Sequence, residues 1–184
     1  MERYLKFSLQ LVLVAFLFSC CTMSNSKRQA WLKEKFKETS FVPKIDSVII
    51  LANINDEKFY CCIKQECYGT GIFQYNSHND EWKKINPLHE NGEEIPIFDL
   101  GNFRLKEDRL YCEFATNQCG LGLEAMVYEY FDLKDEKWHF LTYGIEGSKM
   151  EGDSIIADVA WITKLGTDPW ETEVADSIRV IKLE

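Results

Sequence analysis

The chain predicts a mainly β fold: two related antiparallel four-strand meanders packed as a sandwich or distorted barrel, with one short N-terminal helix. Three observations lead there. From Asp46 onward, short runs of β-branched and aromatic residues alternate with Asn, Asp, Gly and charged turns, the pattern of strands joined as hairpins. Phe59-Tyr60-Cys61 followed by Gly69-Thr70-Gly71 recurs 51 residues later as Leu110-Tyr111-Cys112 followed by Gly120-Leu121-Gly122. Only one stretch ahead of these runs has helical spacing.

The elements follow in order. Ser26 is positioned to cap a helix over 27–38, in which Leu32 and Phe36 stand four apart beside Trp31. Glu34 and Glu38 interrupt its basic face, so docking on the domain edge is favoured over lying on a membrane surface. Ten strands are expected, over 47–54, 58–64, 71–75, 81–85, 97–105, 109–115, 125–131, 137–143, 154–162 and 177–183. The repeat continues beyond the glycines, with Phe73-Gln74-Tyr75 matched to Tyr128-Glu129-Tyr130 and Trp82 to Trp138. Each unit of strand, acidic turn, strand, Gly-x-Gly, strand and Trp-bearing strand resembles a kelch-like β-propeller blade. The segment from Asp153 to Glu184 holds strands without a third complete copy, so two meanders with terminal strands closing an edge are the expected arrangement.

Ahead of the domain, Arg3 and Lys6 precede an almost wholly apolar run from Phe7 to Phe18, and Leu17-Phe18-Ser19-Cys20 ends it. A helix of that length spans about 18 Å, against roughly 30 Å of hydrocarbon, so it reads as an export signal and not as a membrane span. Leu17, Ser19 and Cys20 resemble the lipobox of bacterial lipoproteins, although Phe18 is bulkier than that family usually carries. The resemblance implies a signal peptide over 1–19, diacylglyceryl transfer to Cys20, a lipidated tether over 20–26, and a single domain over 27–184. It also implies a place in the cell envelope. With Cys21 where an inner-membrane retention aspartate would stand, and without an acidic export run in 22–27, the outer membrane facing the periplasm is expected.

The chain of 184 residues has a formal charge of −9, with 30 Asp and Glu against 21 Lys and Arg. Losing residues 1–19 removes Glu2, Arg3 and Lys6, a net positive charge, and leaves the rest slightly more acidic. Such a domain repels nucleic acid and anionic headgroups, so no nucleic-acid partner is expected and membrane contact would come from the lipid anchor.

Beyond Cys20 the cysteines are Cys21, Cys61, Cys62, Cys67, Cys112 and Cys119, in a compartment where disulfides persist. The repeat suggests bridges Cys61–Cys67 and Cys112–Cys119, each closing a hairpin loop, with Cys67–Cys119 as the alternative. No zinc-ligand spacing occurs, and His78, His89 and His139 are scattered, so neither metal nor cofactor is expected. The oxygen-rich turn 76–81 lacks the bend glycine and distant glutamate of a calcium loop. The two Gly-x-Gly runs precede strands and therefore read as turns or bulges, not phosphate cradles.

Acyl-transfer motifs are absent, and no catalytic residue is assigned. Glu90, Glu93 and Glu94 in one loop, with Glu171 and Glu173 near the end, are the carboxylates a glycan-directed hydrolase would draw on. Among the tryptophans, Trp82, Trp138 and Trp161 are assigned chiefly to the core. Trp170, after the turn Gly166-Thr167-Asp168-Pro169, is the candidate contact residue. The favoured function is a lipid-anchored binding or accessory module for an envelope protein or glycan; a hydrolase and a structural or inhibitory partner stay open.

Overall fold

The computed structural model describes residues 23–39, 44–66, 69–89, 91–116, 125–145, 147–164 and 173–184. They form helix α1 (Asn25–Thr39) and strands β1 (Ile45–Ile54), β2 (Lys58–Gln65), β3 (Gly69–Asn76), β4 (Glu81–Lys84), β5 (Asp99–Lys106), β6 (Arg109–Thr116), β7 (Ala125–Asp132), β8 (Lys137–Gly144), β9 (Lys149–Glu151), β10 (Ser154–Lys164) and β11 (Glu173–Lys182). Two four-stranded antiparallel sheets, β1-β2-β3-β4 and β5-β6-β7-β8, are joined by a three-stranded sheet ordered β11-β10-β9. The sheets stack and do not close, so the barrel alternative falls away. Short β9 is the strand the sequence pattern did not supply. Helix α1 begins after Ser24, whose carbonyl accepts the Arg28 amide at 3.0 Å, so Ser24 and not Ser26 stands at the cap position.

Three apolar cores separate four layers. Leu32 and Phe36 of α1 pack on Val48, Phe59, Cys61 and Ile63 of the first sheet. Tyr60, Cys62 and Ile72 on the opposite face meet Leu110, Cys112, Phe114 and Phe131 of the second. Tyr111 and Tyr128 on the far face of the second sheet meet Ile155, Ala157 and Val159 of the third. With both faces covered, β2 and β6 are buried at successive residues, which explains the apolar run of β2 and of β6 on either side of Glu113.

The sheets are stacked in one sense. Phe59, Cys61 and Ile63 occupy the positions of Leu110, Cys112 and Phe114, and each trio faces the layer that precedes it. Ile155, Ala157 and Val159 do the same in the third sheet. The turns repeat as well: Asp56, Glu107 and Gly152, each two residues before the next strand, have φ of 57°, 52° and 56°, and Asp80 and Glu136, each just before a strand, have 56° and 55°. Left-handed backbone at these four acidic residues and one glycine lets the chain reverse direction in tight hairpins.

Register corrects one detail of the repeat. Tyr75 pairs with Trp82 and Phe131 with Trp138, so Tyr75 corresponds to Phe131, and Phe73 corresponds to Glu129. Matching Tyr75 to Tyr130 slips the later copy by one residue, which turns every side chain to the wrong face.

Polar ties hold the layers in place. Arg28 and Lys35 of α1 reach Asp56 and Asp80 in turns of the first sheet, at 2.9 Å each. Glu136, in a turn of the second sheet, accepts from Lys58 of the first at 3.0 Å. The Met150 amide donates to Glu113 Oε2 at 2.8 Å, and the Tyr111 hydroxyl donates to the Glu184 carbonyl at 2.6 Å, joining the second sheet to the third. Among the described residues, no helix is long and apolar enough to cross a membrane.

Candidate functional site

Cysteine chemistry is the first expectation to change. Cys61 and Cys112 are free, buried thiols, as is Cys62, and this overturns the disulfides assigned to Cys61 and Cys112. The reason is strand position. Cys61 stands mid-strand opposite Phe73 and points into the core under α1, while Cys112 stands opposite Glu129 and points between the first two sheets. Burial raises all three thiols, Cys62 to about 12, and they pack as small apolar groups. Cys20, Cys67, Cys119 and Trp170 lie outside the described residues, as do Glu90 and Glu171.

The described loop carboxylates are solvated. Glu93 is tied to Asn91 through its backbone amide and carboxylate, both at 3.0 Å, and Glu94 is bonded to Lys84. His78 lies 3.4 Å from Glu57, and His139 stacks on Tyr130 with ring centroids 4.7 Å apart while facing Asp135 at 3.2 Å. The turn 76–81 closes on itself, with the His78 amide donating to Asn76 Oδ1 at 3.0 Å. Among the described residues, no three His, Cys, Asp or Glu side chains are grouped to hold a metal ion.

A different surface stands out because of a mismatch in strand length. β4 ends at Lys84 after 4 residues, whereas β8 continues for 8. Lys137 to Phe140 of β8 correspond to the whole of β4, so the end of β8 runs on past the strand that would flank it in the stack. Phe140 and Tyr143 lie on the β8 face directed toward the first sheet and are 55% and 59% exposed. Their ring centroids are 5.2 Å apart at 47°, an aromatic pair displayed on a strand.

The pair is held on a firm base. Trp138 packs edge-on against Phe114 and Phe131 at 5.5 and 5.3 Å, and its indole N–H donates to the Ile85 carbonyl. Thr142 is buried, and Leu141 packs in the core beneath the third sheet. Beside Trp138, an open groove of about 400 Å³ is lined by Lys83, Lys84, Leu88, Glu136 and Lys137. Lys84 and Lys83 are paired with Glu94 and Glu136 of the same lining, so the surface combines aromatic contact area with a rim of mixed charge.

Glu129, opposite Phe140 on β7, is 4% exposed, and its Oε2 has no hydrogen-bond partner. Burial pushes its carboxyl up to about 7. Glu113, the other buried carboxylate of this sheet, stands one residue from Cys112 on β6 and faces the third sheet. The two carboxyls are therefore on opposite faces and do not form the pair across one cleft that glycoside hydrolysis requires.

Sequence reasoning missed Phe140, Tyr143 and Glu129. One signal was present, since the expected strand at 137–143 is longer than its counterpart at 81–85. No family model, curated protein or solved structure matches the chain.

Proposed function

We propose that this chain is a lipid-anchored cell-envelope module that binds an envelope protein or glycan through the exposed Phe140–Tyr143 edge of β8. The carrying observation is that ring pair, displayed on a paired strand between a buried Thr142 and a partly buried Leu141 that packs on the core. Rigid aromatic side chains lose little rotamer entropy on binding and supply large contact area, which is why such residues dominate interaction hot spots. The Leu17-Phe18-Ser19-Cys20 sequence supports lipidation at Cys20, periplasm-facing placement in the outer membrane, and a membrane contact made by the lipid. A hydrolase drawing on Glu93 and Glu94 finds less support, because both are exposed and engaged with Asn91, Lys84 and Asn86.

The test is site-specific photocrosslinking in the host envelope. A photoreactive residue at position 140 or 143 should give one discrete adduct, and the same residue at exposed Glu34 of α1 should give none. Equal labelling from all three positions would sink the β8 assignment. Cys20→Ala should leave the membrane fraction; retention there would sink the lipid anchor.

A further inference from the structure

Each of the first two sheets adds a fourth strand to the outer side of its third: β4 pairs with β3, and β8 pairs with β7. The third sheet repeats only the first three positions. Its β11, 10 residues long, corresponds to β3 and β7, and among the described residues nothing pairs with its outer edge. Long edge strands expose a row of backbone donors and acceptors and are templates for pairing with another chain.

Side chains on β11 single it out further. Ile178 and Val180, at 71% and 61%, are the two most exposed of the large apolar residues among those described. Register makes Ile72 and Tyr128 the counterparts of Ile178, since they pair with Cys62 and Glu113 as Ile178 pairs with Asp158. Ile72 and Tyr128 are both 0% exposed. Ile72 and Tyr128 are covered by the layer that follows their sheet, whereas Ile178 lies on the face of the third sheet turned away from the second, which no described layer covers.

We infer that β11 is a self-association edge, at which a second copy of this chain adds its own β11 antiparallel to form a continuous six-stranded sheet. The charge order of the strand identifies the occupant. Acidic Glu173 and Asp176 occupy the first half of β11, and basic Arg179 and Lys182 occupy the second. Antiparallel self-pairing sets the acidic half of each copy beside the basic half of the other, whereas parallel pairing would align like with like. A two-fold axis puts one residue opposite its own counterpart. Ile178 at that position brings the exposed isoleucines together and sets Asp176 opposite the partner's Val180, one pair from the partner's Lys182.

The experiment is sedimentation of the full chain in a density-matched non-ionic detergent, with amide exchange followed along 173–182. The native chain should form dimers, with added protection in β11 at high concentration. Ile178→Lys should yield monomers with unchanged circular dichroism and melting. Lys182→Asp should weaken the dimer about tenfold, and Asp176→Lys added to it should restore association by swapping the two charges. A monomeric native chain at about 100 µM, or a dimer indifferent to Ile178→Lys, would overturn the assignment. Dimers dispersed by Ile178→Lys but lacking new amide protection in β11 would also overturn it, because they would be packed face to face and not edge to edge.

Discussion

The first and second sheets share strand order, turn positions and register, yet differ in what they bury. The first places Cys62 and Phe73 where the second places Glu113 and Glu129. Phe73 packs edge-on against Phe36 of α1 with ring centroids 4.8 Å apart. Glu129 faces the first sheet with Oε2 unsatisfied, while Glu113 is engaged by the Met150 amide. The same framework therefore tolerates both an apolar contact and a buried carboxylate. A repeated backbone does not dictate repeated chemistry, because each face answers to the layer laid against it.

The largest effect should come from breaking the apolar contact the two sheets share. Phe114 is 0% exposed between them and touches Trp138. Phe114→Ala should cost about 3–5 kcal/mol in denaturant unfolding. A loss below about 1 kcal/mol would mean that the inter-sheet core is not the chief support of the stack.

Next in size is the charge that distinguishes the second sheet. The carboxyl of Glu129 ionises near 7 in the fold against an ordinary 4.5, so the folded state holds the proton more tightly than the unfolded chain. Its contribution to stability is complete below about pH 4.5 and is lost as pH rises through about 7, amounting to about 3 kcal/mol. Glu129→Gln should flatten that slope across the same interval and raise the melting temperature at pH 8. An unchanged slope would exclude Glu129 as its source.

The smallest of the three concerns Glu113. A Cβ at Gly101 would come within 2.2 Å of Glu113 Oε1, so the glycine leaves room for a carboxylate that the first sheet does not bury. Ile49, opposite Cys62, stands at the corresponding place in β1. Gly101→Ala should destabilise by about 1–3 kcal/mol, and Gly101→Ala with Glu113→Ala should recover part of that loss. Equal losses in the single and double variants would show that backbone freedom, not space, requires the glycine.

Most of the framework was legible in the chain. Hairpin periodicity located ten strands, and the recurrence of Phe59-Tyr60-Cys61 at Leu110-Tyr111-Cys112 located β2 and β6 in register. That recurrence also suggested bridges, and here the reading failed for Cys61 and Cys112. Sequence proximity to Cys67 and Cys119 carried no information about the faces, and both thiols point into cores made by other layers. The one-residue slip at Tyr75 has a related origin: an insertion between β6 and β7 changes the offset, and only pairing with Trp82 and Trp138 restores it.

By itself the sequence determined the strand alternation, the acidic turns, the dockable face of α1 and the apolar N-terminal segment ending in Cys20. These are local properties, written in residues a few positions apart. Tertiary structure decided which faces are covered. Phe140, Tyr143, Ile178 and Val180 resemble buried strand residues in composition, and they are exposed because β8 outruns β4 and no described layer covers the outer face of the third sheet. Glu129 looks like a surface carboxylate and is buried because the first sheet lies against it. Exposure is a property of the neighbouring layer, and the neighbour of a strand's face is chosen by packing over distances that local pattern does not reach.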